Sequence, residues 1–348
     1  MSTVGTGERR RNYSPWFQWV SRLMATTRTD PLDVSDLAGL EPWKARCRTR
    51  LAGLLGPDPE RVLPDVESLE TAKCDGYRRE KIVFDTEDTM SVPAYLLVPD
   101  GRSMPGPAVL ACHGHGPGKS LVVGLETTEA PNGDYAAQLA RRGYVVLAPD
   151  LRCFGERADW NPPDHYACDT NLVHAVMAGW SPLNQNLWDL ARSLDVLADH
   201  PLVDAKRIGV VGLSLGGTMT LFLAATDDRV ACAVVSGFLS SWGESHKVPW
   251  NMCGSQVLPG MLGQIEHVDL GALIAPRPLL VETGTEDMLF PVAAASEAVG
   301  QLRAVYQHYG ASDRIVHDVF VGDHQWHGLA AYPFLDRWLG HTPSGSRA

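Results

Sequence analysis

Ile208-Gly209-Val210-Val211-Gly212-Leu213-Ser214-Leu215-Gly216 is an apolar run that ends in a G-x-S-x-G pentapeptide. This is the pattern of a nucleophile elbow, in which a strand ends, the chain turns sharply and a helix begins. The serine at the tip is held in a strained backbone conformation, so its hydroxyl stands clear of the sheet. Gly212 and Gly216 lack the β-carbons that would collide inside so tight a turn. The same five residues also describe an ordinary glycine-rich turn with an idle serine. The surrounding chain decides between the two.

Outward from the elbow, strands alternate with helices. Segments 80–85 and 92–98 read as a hairpin, and 108–111 as a short strand leading into His113-Gly114-His115-Gly116. A helix is expected over 133–142, a strand over 144–148, a helix over 184–199 and the elbow strand over 207–211. Beyond the elbow come a helix (216–226), strands at 230–236 and 278–281, a helix (292–307), a strand (314–320) and a last helix (328–339). That alternation predicts an α/β fold with a largely parallel sheet and helices on both faces. Two irregular insertions, 151–183 and 237–272, are expected to cover the catalytic edge of the sheet. Residues 1–76 read as an N-terminal helical extension, with helices near 13–25 and 41–55, and 77–342 as the catalytic domain.

A serine hydroxyl needs a base to take its proton and an acid to orient that base. In this arrangement they follow in the chain order serine, acid, histidine. The strand at 278–281 leads through Gly284 to Asp287, the preferred acid, with Glu282 and Glu286 as rivals. The strand at 314–320 leads through Gly322 to His324, the preferred base, with His327 as rival. The oxyanion needs two amide donors. Leu215 follows the nucleophile, and the loop after the 108–111 strand offers His115 first and Gly114 next. His113 reads as a structural residue that bonds loop backbone.

The net charge of −11 argues against non-specific nucleic-acid binding, and no segment approaches the length of a membrane helix. Arg9-Arg10-Arg11 is not followed by an apolar stretch, so no secretory signal is read and a cytoplasmic location is expected. The seven cysteines are scattered without C-x-x-C spacing, which fits free thiols and argues against zinc. The glycine loop lacks the phosphate-binding lysine motif, so nucleotide binding is discounted. No metal is expected, and the partner is a small-molecule substrate. The N-terminal helices could serve a homodimer contact.

Together, the His-Gly-His-Gly loop, Pro149-Asp150-Leu151-Arg152-Cys153-Phe154-Gly155, the Gly-Leu-Ser-Leu-Gly-Gly elbow and Ala275-Pro276-Arg277-Pro278 resemble the α/β-hydrolase superfamily. They are most similar to its dienelactone hydrolase-like and acetyl xylan esterase-like branch. The resemblance implies an eight-stranded sheet, no cofactor, and hydrolysis of an ester, thioester or lactone. By position it assigns the triad to Ser214, Asp287 and His324. Cys153 stands where such relatives carry a glycine, which is expected to alter the pocket wall.

The two insertions are rich in aromatic residues and methionine, a composition that shapes apolar pockets. Phe238, Trp242, Trp250, Cys153 and Trp180 are the substrate-binding candidates. Arg152, Glu156 and Arg157 read as an ion-pair network anchoring a loop, and Asp189 with Arg192 as a helix-surface pair or loop anchor. Two other classes of function compete. One is a biosynthetic tailoring enzyme of the same fold, performing cyclisation, elimination or C–C cleavage. The other is a binding protein without catalysis, which the retained triad disfavours.

Overall fold

Nine strands form one sheet in the computed structural model, which describes residues 3–4, 11–126, 132–160 and 166–342. They are β1 (Glu67–Lys73), β2 (Tyr77–Glu87), β3 (Met90–Pro99), β4 (Gly106–Cys112), β5 (Val145–Pro149), β6 (Val203–Leu213), β7 (Val230–Ser236), β8 (Leu279–Gly284) and β9 (Ile315–Phe320). In space they run β9-β8-β7-β6-β4-β5-β3-β2-β1. Strands β4 to β9 are parallel to one another, and β1 to β3 join antiparallel, β3 on β5. Strands β4 and β5 are buried along their whole length, which is why they read as continuous apolar runs.

The sheet begins earlier than the sequence predicts. Strand β1 lies inside the segment expected to be a helical extension, and it makes nine strands where eight are expected. Its sequence, ESLETAK, shows no apolar alternation, because this edge strand is exposed on nearly every residue. A strand with no face to bury carries no period-two signal. The insertion at 151–183 also contains an unexpected helix, Ala167–Met177, while its residues 161–165 lie outside the described residues.

Helices cover both faces. Pro182–Asp199, Leu215–Thr226, His267–Ile274 and Val292–His308 pack with Leu40–Leu55 into one core. Tyr135–Arg141 and Ala331–Trp338 close the other. Leu40–Leu55 buries Trp43, Cys47 and Leu51 and so belongs to the domain core. The amphipathic helix Pro15–Ala25 buries no residue fully; it lies over Trp242 and Met261, leaving an apolar crevice between them. No helix among the described residues is long and apolar enough to cross a membrane.

Strand β4 pairs with β5 on one side and β6 on the other, so the direction in which successive strands are added to the sheet reverses about it. Open α/β sheets form a crevice at such a switch point, outside the carboxyl ends of the strands. The loops that leave β4 and β6 there carry His115 and Ser214.

Candidate active site

Ser214 has φ +61° and ψ −118°, a left-handed conformation that a serine adopts only under constraint. The constraint is close packing at the end of β6. A methyl group on Gly216 would lie 2.1 Å from the Cys112 carbonyl oxygen, and one on Gly212 would lie 2.3 Å from that of Gly216. The Ser214 amide donates to the Ser236 carbonyl at 3.0 Å, and the helix Leu215–Thr226 starts at the next residue. As the first residue of that helix, Leu215 has an N–H with no helical carbonyl to bond.

Beyond β8, Asp287 is buried with both carboxylate oxygens engaged. Oδ1 accepts the amides of Leu289 at 2.8 Å and Phe290 at 3.0 Å. Oδ2 lies 2.8 Å from Nδ1 of His324, 37 positions later. The Phe290 ring is stacked on the imidazole, with centroids 5.8 Å apart. Nε2 of His324 is buried and has no hydrogen-bond partner, so no bond to the Ser214 hydroxyl is formed in this structure. Ser214 and His324 line one cavity of about 620 Å³. Such contacts are often long in unliganded enzymes and tighten when substrate binds.

The rivals for these roles are otherwise employed. Glu282 is fully buried in β8 and accepts the amides of Gly328 and His327. Burial pushes its carboxyl up to about 7. His327 pairs with Asp318 at 2.7 Å and stacks on Phe320, and Glu286 is exposed. Together Glu282, Asp318 and His327 hold the loop that presents His324. His113 is buried, accepts the Leu151 amide through Nε2 and donates to the Gly114 carbonyl through Nδ1. Burial lowers its imidazole to about 4, keeping it neutral. Gly114 and His115 line the cavity beside Ser214.

Both insertions reach the cavity, the first through Tyr166 and Asp169 and the second through Pro249 to Cys253. Of the five proposed substrate contacts, Trp250 lines the wall, and it is 75% exposed. The other four are displaced from it. Phe238 is buried behind His324, edge-on to Phe290, and stacked on His267. Trp242 donates its indole N–H to the Ile265 carbonyl at 2.7 Å and faces the helix Pro15–Ala25. Trp180 is half-buried at the end of the helix Ala167–Met177, and Cys153 sits in the loop after β5. Aromatic residues in an insertion have two surfaces to fill, and these mostly fill the one facing the domain. Cys153 has φ +75°, which explains why a glycine suits that position better than any pocket argument does.

The loop after β5 is anchored by charge. Arg152 bonds Asp189 at 2.8 Å and also Glu87, and Arg157 lies 2.8 Å from the same aspartate. Lys119 bridges Asp150 and Glu156. Asp189 therefore pairs with these arginines across the fold, and Arg192, its expected helix partner, pairs with Asp195. Sequence reasoning also missed three contributors to the cavity. Asn251 donates to the carbonyls of Ser245 and Leu289, tying the second insertion to the acid loop. Trp326 stacks on Tyr135, whose hydroxyl bonds the Cys112 carbonyl. Cys253 meets Cys168 and His115, with their sulfur and ring-nitrogen atoms all within 4.8 Å of one another. The absence of a spacing motif hid that cluster, because its three donors come from segments far apart in the chain.

A model of the Abhydrolase family matches residues 33–318. The chain belongs to the Abhydrolase family. It is 30% identical over 314 residues to the Bacillus subtilis protein named "Putative hydrolase YtaP", covering 85% of this chain and all of that one. Among solved structures it is similar to one from Bacteroides fragilis described as a "putative acetyl xylan esterase", with a TM-score of 0.73 and 20% identity over 91% of this chain and 84% of that one. A glucuronoyl esterase from Solibacter usitatus gives a TM-score of 0.65 and 14% identity over 87% of this chain and 92% of that one. The Abhydrolase match begins at residue 33, so the helix Leu40–Leu55 falls within the matched residues.

Proposed function

We propose that this Abhydrolase chain hydrolyses a carboxylic ester, thioester or lactone of a small to medium organic substrate through a Ser214-His324-Asp287 triad. The observation that carries the reading is the Asp287–His324 bond at 2.8 Å, with a buried, unpartnered Nε2 in the cavity that Ser214 lines. Nε2 accepts the Ser214 proton as the hydroxyl oxygen attacks the carbonyl carbon. Asp287 keeps the remaining ring proton on Nδ1 and stabilises the imidazolium. The Leu215 amide, with that of His115 or Gly114, donates to the oxyanion. His324 returns its proton to the leaving alcohol or thiol. Water then attacks the acyl-enzyme, with the same nitrogen as base, releasing the acid and restoring Ser214.

The relatives named as acetyl xylan and glucuronoyl esterases support ester chemistry. The wall supports an acyl chain or ring: Tyr166, Trp250, Met252 and Leu289 present apolar surface, and about 620 Å³ suits a ligand of modest size. A fluorophosphonate probe tests the nucleophile. It is expected to label Ser214 once per chain and to leave a Ser214→Ala variant unlabelled. A folded parent chain that takes no label overturns the reading. Rates on p-nitrophenyl esters of increasing chain length, set against acetylated xylan oligosaccharides, then rank the substrates.

A further inference from the structure

We propose that His115, Cys168 and Cys253 form a binding site for a thiophilic divalent cation, zinc foremost, in the wall of the Ser214 cavity. Three segments far apart in the chain supply the donors. His115 comes from the loop after β4, Cys168 from the first turn of the helix Ala167–Met177, and Cys253 from the second insertion. Their two sulfurs and a ring nitrogen all lie within 4.8 Å of one another, and both cysteines are buried free thiols. In a tetrahedral zinc site with bonds of about 2.0–2.3 Å, neighbouring donors stand roughly 3.5–3.8 Å apart. An inward movement of about 1 Å reaches that spacing.

Two thiols and one imidazole are a donor set that selects zinc over magnesium or calcium, which take oxygen. The surroundings suit thiolates. Cys168 sits at a helix N-terminus, where partial positive charge favours an anion. Cys253 accepts the Ser255 amide on its sulfur at 3.4 Å. Asp169 accepts the Gly254 amide at 2.7 Å, holding the two cysteine-bearing segments against each other. His115 is fixed edge-on to the Phe154 ring. His115 and Cys253 both line the cavity, so the cluster lies in its wall. Among the described residues the other cluster of such donors, Glu282, Asp318 and His327, is engaged in holding the histidine loop.

The site stands apart from the ester reading, since metal binding is read on the resting protein. The full chain, reduced and stripped of metal with a chelator, is titrated with Co²⁺ and separately equilibrated with Zn²⁺ and desalted. One zinc per chain is expected. Cobalt is expected to give a thiolate charge-transfer band in the near ultraviolet with the visible bands of a tetrahedral centre. Cys168→Ser and His115→Ala should each weaken binding by at least ~100-fold, since even residues behind a metal's ligands cost 10–100-fold. Zinc should raise the melting temperature of the parent but not of these variants. Cys74→Ser, at the turn between β1 and β2, should bind as the parent does. Absence of retained zinc and of the near-ultraviolet band overturns the proposal, as does binding that neither variant alters. Should Cys168→Ser fail to fold, His115→Ala decides, because the His115 side chain is exposed.

Discussion

Replacing Asp287 by asparagine should disable the site without removing a single heavy-atom position. Oδ1 accepts two backbone amides, from Leu289 and Phe290, while Oδ2 faces Nδ1 of His324. An asparagine has one acceptor and one donor end. With its oxygen towards the two amides, its NH₂ faces Nδ1, so the imidazole proton moves to Nε2 and the ring cannot accept from Ser214. With its oxygen towards Nδ1, the NH₂ confronts two buried amides. That leaves two donors unpaired at about 1–3 kcal/mol each, roughly 2–6 kcal/mol in all. At 1.36 kcal/mol per tenfold, reaching the competent tautomer lowers kcat/KM by about 30-fold to about 10⁴-fold. The assay is hydrolysis of p-nitrophenyl acetate by Asp287→Asn, with thermal melting as the check on folding. A folded variant retaining more than a tenth of parental kcat/KM would refute the assignment of Asp287 as the orienting acid.

Four other outcomes are expected. Ser214→Ala should lose at least ~10⁴-fold in kcat while melting within a few degrees of the parent, measured by ester hydrolysis and circular dichroism. Trp250→Ala, altering a residue 75% exposed on the cavity wall, should raise KM for longer or aromatic esters more than it lowers kcat, with stability unchanged within about 0.5 kcal/mol. Glu282 should make stability fall as pH rises. Its carboxyl is raised from 4.5 to about 7 in the fold, so its contribution is complete below pH 4.5 and is lost through pH 7, roughly 3 kcal/mol in all. Denaturant unfolding of the parent and of Glu282→Gln across that window measures it, and parallel pH profiles for the two would count against it. His113 acts in the opposite sense: its lowered imidazole gives stability above pH 6.5 that is lost as pH falls towards 4.

The fold was legible where burial imposes a period. Strands β4, β5, β7 and β8 announce themselves because both their faces are covered, and the elbow because its glycines answer a steric need that nothing else meets. Strand β1 was illegible because an exposed edge imposes no pattern on ESLETAK. The triad candidates were legible by order along the chain, but the choice of His324 over His327 needed the partner of each ring. One turns to Asp287 and the other to Asp318. The pocket residues were the least legible. Composition placed aromatic residues in the insertions, and composition has no direction, so Phe238 and Trp242 lie in the core while Trp250 lies on the wall.

The chain alone determined the α/β alternation, the position of the turn that presents Ser214, and the short set of acids and histidines able to serve it. These are local matters: a period, a steric limit on a tight turn, an order of segments. Tertiary structure decided which carboxylate reaches which imidazole, which aromatic rings meet solvent, and that His115, Cys168 and Cys253 are neighbours. Those outcomes depend on distances between segments dozens of residues apart. Such distances are set by how the two insertions pack over the open end of the sheet, and no local sequence pattern records that packing.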